Sequence, residues 1–377
     1  MSCRFSAVVA SICLILPLRT LALHHLRQPQ PLQPIPRQSN GSGGGLPMII
    51  TNQCEETIFP ALSTQGGTGS NVQSTMSPHT NQSFSVSSDW QGRIWGRTNC
   101  TFNNNTESGG GSSCTTGDCG TEDCKSAGNP PATLAEFTMN GSSSQTFYDI
   151  SLVDGYNLPV AIVLLPNGNS ALENLDQSTT NPSCVASVGD LAAQGFNPYG
   201  NGQIFLGTSS SDPLPFEQNN SASDVSSWCP WDLQVNPPQA PGNGTYPYPD
   251  TDVARPAFNP CYSACAKYNK PEYCCTGQYD GSSQCSPNYY SKAAKDVCPD
   301  AYSYAYDDQT STFINPTGGG YQVIFCPGGR STNIIASKGT DQIHHSGSSS
   351  GKVGWLKINR TATWLVVATP MVVMFFS

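Results

Sequence analysis

Phe147-Tyr148-Asp149-Ile150-Ser151-Leu152-Val153, then Asp154-Gly155-Tyr156-Asn157, then Leu158-Pro159-Val160-Ala161-Ile162-Val163-Leu164-Leu165 is the stretch that decides the fold class. The two outer runs are short and rich in β-branched and aromatic residues, and the four residues between them are a strong turn signal. The stretch reads as strand, turn, strand, with Asp154 on the turn. The whole chain shares this character. It has 36 Gly and 30 Pro among 377 residues and only 11% charged residues, which favours short strands and many turns over long helices. An all-β, loop-rich fold is expected.

Working outward, Pro47-Met48-Ile49-Ile50-Thr51-Asn52 and Thr57-Ile58-Phe59-Pro60-Ala61 read as the arms of a hairpin around a Glu-rich turn, so the folded domain is expected from residue 47. In Gly92-Arg93-Ile94-Trp95-Gly96-Arg97-Thr98 the period of two places Arg93, Trp95 and Arg97 on one face and Ile94 on the other, which implies a polar face beside a buried one. Tyr321-Gln322-Val323-Ile324-Phe325-Cys326 reads as a last alternating strand. Residues 167–260 read as loops rich in Asn, Ser, Pro and Gly, with a short helix at Leu191-Ala192-Ala193, and Trp228 and Trp231 flank Cys229. A helical turn is expected at Ser291-Lys292-Ala293-Ala294-Lys295, ended by Cys298-Pro299.

The two ends carry export signals. A basic start at Arg4, an apolar run from Ala7 to Leu18 and the small-residue site Thr20-Leu21-Ala22 read as a signal peptide over residues 1–22. Residues 23–46 are a Pro- and Gly-rich linker that cannot bury a core. Beyond residue 328 the pattern fades into a Ser/Gly stalk, expected over 329–360. Residues 361–377 form a hydrophobic tail whose apolar run, Trp364 to Phe376, would reach roughly 20 Å as a helix, short of a bilayer core of about 30 Å. With the small cluster Gly347-Ser348-Ser349-Ser350-Gly351 upstream, this is the order of a GPI-anchor signal. The formal net charge of -9, with only 17 Lys and Arg, argues against nucleic acid as a partner.

Sixteen cysteines less Cys3 and Cys13 of the leader leave fourteen, an even number that suits complete pairing in an exported chain. None of the five histidines (His24, His25, His79, His344, His345) lies near a cysteine cluster, so neither a metal nor any other cofactor is expected. Spacing leaves the connectivity open, although Cys119 with Cys124 and Cys275 with Cys285 are close enough for small staples, and residues 261–298 are expected to form a stapled subdomain. Sequons at Asn40, Asn81, Asn99, Asn104, Asn140, Asn219 and Asn243 predict N-glycosylation, in keeping with export.

Several motifs carry a resemblance. Gly92 to Cys100, Cys114-Thr115-Thr116-Gly117-Asp118-Cys119-Gly120, Pro130-Pro131-Ala132-Thr133-Leu134-Ala135-Glu136-Phe137 and Tyr148 to Pro159 recur in order, followed by Tyr273-Cys274-Cys275, Cys298 to Tyr304 and Phe325-Cys326-Pro327. In order and spacing they resemble the thaumatin family over residues 47–328. The resemblance implies a flattened β-sandwich or barrel, a disulfide-rich loop domain over about 184–298 with a short helix, and a small stapled hairpin. It also implies the pairs Cys54 with Cys326, Cys100 with Cys114, Cys119 with Cys124, Cys184 with Cys298, Cys229 with Cys261, Cys265 with Cys274, and Cys275 with Cys285. Family members usually carry an eighth bond. Here Thr179 and Asn315 stand at its two positions, and the segments around them are expected to be less constrained.

The resemblance further implies a cleft between the sandwich and the loop domain, lined by Arg93, Glu136, Asp149, Asp154 and one of Asp307 and Asp308, with Asp308 favoured. Clustered carboxylates repel, which raises at least one pKa and leaves an acid beside an ionised partner, the requirement for glycoside hydrolysis. In that reading Glu136 donates the proton, and Asp149 or Asp154 acts on water or on the oxocarbenium ion. The implied partner is a β-1,3-glucan or related wall polysaccharide. The implied protein is a monomer, secreted or GPI-anchored, with a defence role against fungi. Binding alone and weak endo-β-1,3-glucanase activity both remain open, as does a non-enzymatic GPI-anchored structural or interaction protein of the cell surface.

Overall fold

The computed structural model describes residues 45–103, 111–186, 228–235, 260–327 and 331–344. The leader, nearly all of the linker, the tail, the sequons at Asn40, Asn104, Asn219 and Asn243, and the short helix expected at Leu191 to Ala193 lie outside the described residues. The strands are β1 (Leu46–Asn52), β2 (Phe59–Gly66), β3 (Thr80–Val86), β4 (Gln91–Arg97), β5 (Thr101–Asn103), β6 (Gly111–Ser113), β7 (Leu134–Thr138), β8 (Gln145–Ser151), β9 (Val160–Leu165), β10 (Ser183–Cys184), β11 (Phe313–Pro316) and β12 (Gly320–Phe325).

They form two five-stranded sheets, ordered β10-β9-β12-β1-β3 and β11-β8-β7-β4-β2, with β5 and β6 as a separate ribbon. The period of two is what lets them face each other. Met48, Ile50, Val160, Ile162, Leu164, Tyr321, Val323 and Phe325 project from the first sheet, and Ile94, Ala135, Phe137, Tyr148, Ile150 and Phe313 from the second, into one core. The fold is a disulfide-rich β-sandwich with few, short helices.

Partner choice departs from the local reading at the start of the domain. β1 and β2 are not a hairpin: β1 pairs in parallel with β12 and antiparallel with β3, whereas β2 pairs with β4 in the other sheet. Alternation marks a strand without naming its neighbour, and a parallel partner can lie anywhere along the chain. Just past the paired residues Asn52 and Phe325, the Cys54–Cys326 disulfide joins the two strand ends across a sequence separation of 272. Likewise β8 and β9 are strands with a turn between them, but the turn carries the chain from one sheet to the other. Gly155 in that turn has φ +101, and a Cβ there would lie 2.4 Å from the Cys261 carbonyl oxygen.

The polar face expected on β4 is covered. Trp95 and Arg97 are fully buried, because the segment closed by Cys119–Cys124 lies over them. Trp95 Nε1 donates to Gly117 O at 2.8 Å. The Arg97 guanidinium donates to the carbonyls of Phe59, Thr121 and Glu122 at 3.1, 2.9 and 2.9 Å, so its charge is solvated by backbone rather than by water. β12 is likewise buried along its whole length, since it lies inside the first sheet.

Helices α1 (Ser170–Glu173), α2 (Ala264–Tyr268), α3 (Pro271–Cys274) and α4 (Tyr289–Val297) occupy the connections. The helical turn expected at 291–295 is a longer helix, α4. Its N-cap Asn288 accepts from Ser291 N, and Tyr290, Ala294 and Val297 form its buried stripe. Cys229–Cys261, Cys265–Cys274 and Cys275–Cys285 staple this region, and Cys184–Cys298 fastens it to β10. With Cys54–Cys326, Cys100–Cys114 and Cys119–Cys124, seven disulfides use all fourteen cysteines.

Two further expectations change. The segments around Thr179 and Asn315 are not loose. Tyr148 Oη donates to Thr180 O at 2.6 Å, and Asn315 Nδ2 donates to Tyr148 Oη at 2.9 Å, all three residues being buried. Nor is the chain after residue 328 uniformly a stalk: α5 (Ile334–Lys338) and α6 (Thr340–Ile343) pack on the sandwich, with Ile334, Ile335 and Ile343 buried. Ile334 and Ile335 are adjacent and Ile343 stands eight residues on across a mostly polar stretch, so the segment shows no strand period and reads as a stalk. The disulfide between the first and last strands closes the longest loop, so replacing both Cys54 and Cys326 by Ala is expected to cost about 2–5 kcal/mol. A denaturant titration measures this; an unchanged midpoint would mean that β1 and β12 hold each other without it.

Candidate functional site

Antiparallel register alone builds one charged row. On the outer face of the second sheet Ser63 of β2 pairs with Arg93 of β4, Arg93 with Glu136 of β7, and Glu136 with Asp149 of β8. Directly opposed residues on neighbouring strands hold their Cβ atoms about 5 Å apart, so these side chains cannot avoid one another. The next row is apolar where it meets the Cys119–Cys124 segment: Ala61, Trp95 and Leu134 pack there.

Arg93 organises the row. Its Nε lies 3.2 Å from Glu136 Oε1 and its Nη1 lies 4.0 Å from Asp154 Oδ2. Asp154 reaches the row from the β8–β9 turn, which Asn157 pins in place. The Asn157 amide donates to Gly96 O and Thr116 Oγ1 at 2.8 Å each, and its oxygen accepts from Thr133 N and Leu158 N. Arg93, Glu136 and Asp154 each keep between a fifth and a quarter of their side-chain surface open to solvent, whereas Asp149 is buried and its Oδ1 has no hydrogen-bond partner.

These placements move the titrations. Burial pushes Asp149 well above the usual carboxylate range, Glu136 and Asp308 push it further, and Arg93 opposes them. Burial raises Asp154 to about 6, with Arg93 lowering it and Glu136 adding to the rise.

The neighbouring aspartates part company. Asp307 is buried and its carboxylate accepts from Ser303 N, Ser303 Oγ, Thr310 Oγ1 and Lys295 Nζ, a saturated structural site. Asp308 is exposed, and its charge is felt at Asp149. Its Oδ1 accepts from Tyr302 Oη at 3.0 Å. Tyr302 is a groove residue that the local sequence pattern did not single out. Its backbone bonds Ile150 in β8 and Leu152 just past it, and burial together with Asp149 and Asp308 raises its phenol, which keeps it a donor. Tyr290 of α4 joins the helix to the same place by donating to Leu152 O at 2.7 Å. Neither tyrosine had a sequence signal beyond its motif, because both roles depend on distant partners.

The arrangement offers a partly exposed cluster of carboxylates around one guanidinium. It can accept hydrogen bonds from hydroxyl groups and hold a proton on a buried carboxyl. Among the described residues no group of three His, Cys, Asp or Glu side chains is placed to hold a metal ion. A separate concavity of about 250 Å³ lies between β2 and the Cys119–Cys124 segment, lined in part by Leu62, Val72, Glu122 and Lys125, and shares no residue with the row. The sequon residues Asn81, Asn99 and Asn140 are exposed.

Raised pKa values at Asp149 and Asp154 mean that the folded chain retains protons the unfolded chain has released. Stability is therefore lost as pH rises from about 4 through the folded values. Asp154→Asn is expected to match the wild type at pH 4 and below, to exceed its Tm by a margin that grows between about pH 4 and 6, and to keep that margin at higher pH. A Tm difference that does not vary with pH would show that burial is not what governs this carboxyl.

Comparison with known proteins agrees with the fold. The thaumatin family profile matches residues 52–327. Pathogenesis-related thaumatin-like protein 3.5 of Cryptomeria japonica is 35% identical over 75% of this chain and 91% of its own length. Thaumatin-like protein 1 of Pyrus pyrifolia is 35% identical over 74% and 89%, and pathogenesis-related protein 5 of Arabidopsis thaliana is 33% identical over 74% and 89%. With the profile spanning every strand after β1, the stapled loops and Arg93, Glu136, Asp149, Asp154 and Asp308, the chain belongs to the thaumatin family.

Proposed function

We propose that this is an extracellular β-1,3-glucan-binding protein of the cell wall or surface, with weak endo-β-1,3-glucanase activity and a role in defence. The observation that carries the reading is the cross-strand row Arg93–Glu136–Asp149 on a rigid β floor, with Asp154 and Asp308 beside it. An acidic groove in a chain of net charge -9 repels polyanions and suits a neutral polymer whose hydroxyl groups donate to carboxylates. The choice of β-1,3-glucan among neutral polymers comes from the family resemblance, and the defence role from relatives named pathogenesis-related. Fold kinship alone does not supply catalysis.

For the hydrolytic step the proton belongs on Asp149 rather than on Glu136. Burial favours the neutral form of Asp149, whereas Glu136 lies 3.2 Å from the Arg93 guanidinium. Asp154, at about 6, changes charge over the mildly acidic range of a wall.

Sedimentation with insoluble β-1,3-glucan, paired with reducing-end release from laminarin, tests the groove. Loss of a charge-assisted contact worth about 1.5–3 kcal/mol in Glu136→Gln is expected to weaken binding about tenfold or more. Asp149→Asn is expected to abolish reducing-end release while leaving binding largely intact. Wild-type binding by Glu136→Gln would remove the groove from the proposal. Binding without any release would leave a non-enzymatic surface protein.

The GPI reading rests on the sequence of the tail, which lies outside the described residues. No helix among the described residues is long and apolar enough to cross a membrane. Phosphatidylinositol-specific phospholipase C is expected to release the protein from intact cells; retention on the membrane after treatment, with a known GPI protein released in parallel, would exclude that anchor.

A further inference from the structure

The sandwich has two open sides, and the chain closes them differently. On the β2/β3 side the intervening loop does so, through the bridges Ile58 to Met76 and Gly69 to Val86. The other side exposes β10, the edge of the first sheet, and β11, the edge of the second. Unpaired edges carry unsatisfied backbone groups and invite pairing with other chains.

Residues 331–344, beyond the span matched by the family profile, lie along this second side. At β10, Thr332 N donates to Ser183 O at 2.9 Å, Ser183 N to Thr332 Oγ1 at 3.0 Å, and Val185 N to Ser331 Oγ at 2.8 Å. At β11, His344 pairs with Ile314 in a parallel bridge. Between these contacts Ile334, Ile335 and Ile343 are buried. The start of α5 is held by Asp300, a buried carboxylate that accepts from Ile334 N at 2.7 Å and from Ile335 N at 3.0 Å. Two residues after Asp300 comes Tyr302, which bonds β8 through its backbone and Asp308 through its hydroxyl.

We propose that residues 331–344 are a clasp: they close the β10 and β11 edges of the sandwich and, through Asp300, seat the loop that brings Tyr302 and Asp308 to the acidic row. The segment is then a positioning element of the groove rather than the beginning of a tether. It depends on packing alone, so failure to bind glucan leaves it standing.

Amide hydrogen exchange on the full chain tests it, with Asp300→Asn and Thr332→Val as mild variants and a chain ending at Pro327 as the severe one. The clasp predicts at least tenfold faster exchange at Ser183 and Val185 in Thr332→Val, and at Leu152 and Tyr302 in Asp300→Asn. The amides of Ile50 and Val323 in the sheet interior should keep wild-type rates in both. The truncated chain should show all four fast amides or fail to fold; in the second case the point variants decide. Wild-type rates at these four amides in both variants would overturn the proposal, and so would a uniform acceleration that includes Ile50 and Val323.

Discussion

The second sheet must be covered on its outer face without burying the charges that its register places there. Trp95 and Leu134 need a cover; Arg93, Glu136 and Asp149, one row away on the same strands, need water or partners. The fold answers with two separate covers. A small segment closed by Cys119–Cys124 lies over the apolar row, and Tyr290 of the stapled region around α4 bonds Leu152 just past β8. Disulfides suit this arrangement because neither cover has enough apolar core to hold itself together.

Buried polar groups meet the same desolvation cost in different ways. Arg97 is surrounded by carbonyl oxygens that its planar fork matches, so it is satisfied and silent. Asn157 uses both ends of its amide and becomes the pin of the β8–β9 crossover. Asp307 is saturated by four donors. Asp149 differs from these three: one of its oxygens is unpartnered and lies beside another carboxylate, and an unresolved polar cost of this kind is what a functional site retains.

Much of the fold was legible locally. The turn at Asp154 to Asn157, the strands on either side and the helix before Cys298 follow from turn chemistry and periodicity. The resemblance added the residues of the row and a cysteine pairing that spacing left open, and the structure joins the same cysteines. What did not read out was any feature set by a distant partner. The hairpin expected between β1 and β2 was displaced by pairing with β12. The polar face expected on β4 was covered by residues some twenty positions later. The missing eighth bond predicted slack, yet Tyr148 links Thr180 and Asn315 by hydrogen bonds.

The amino-acid sequence by itself pointed to a cysteine-paired, all-β chain of the thaumatin family, because composition and ordered motifs are local properties. Tertiary structure alone decided which strands meet and which of Asp307 and Asp308 is exposed. It also decided that Asp149 is buried beside other carboxylates, and that residues 331–344 pack on the sandwich. Each of these depends on burial or on a partner far away in the chain. Desolvation and pairing act on neighbours in space, and the strand that begins as Phe147-Tyr148-Asp149 shows it: one residue enters the core, the next the groove, and only the opposing strands say what each will meet.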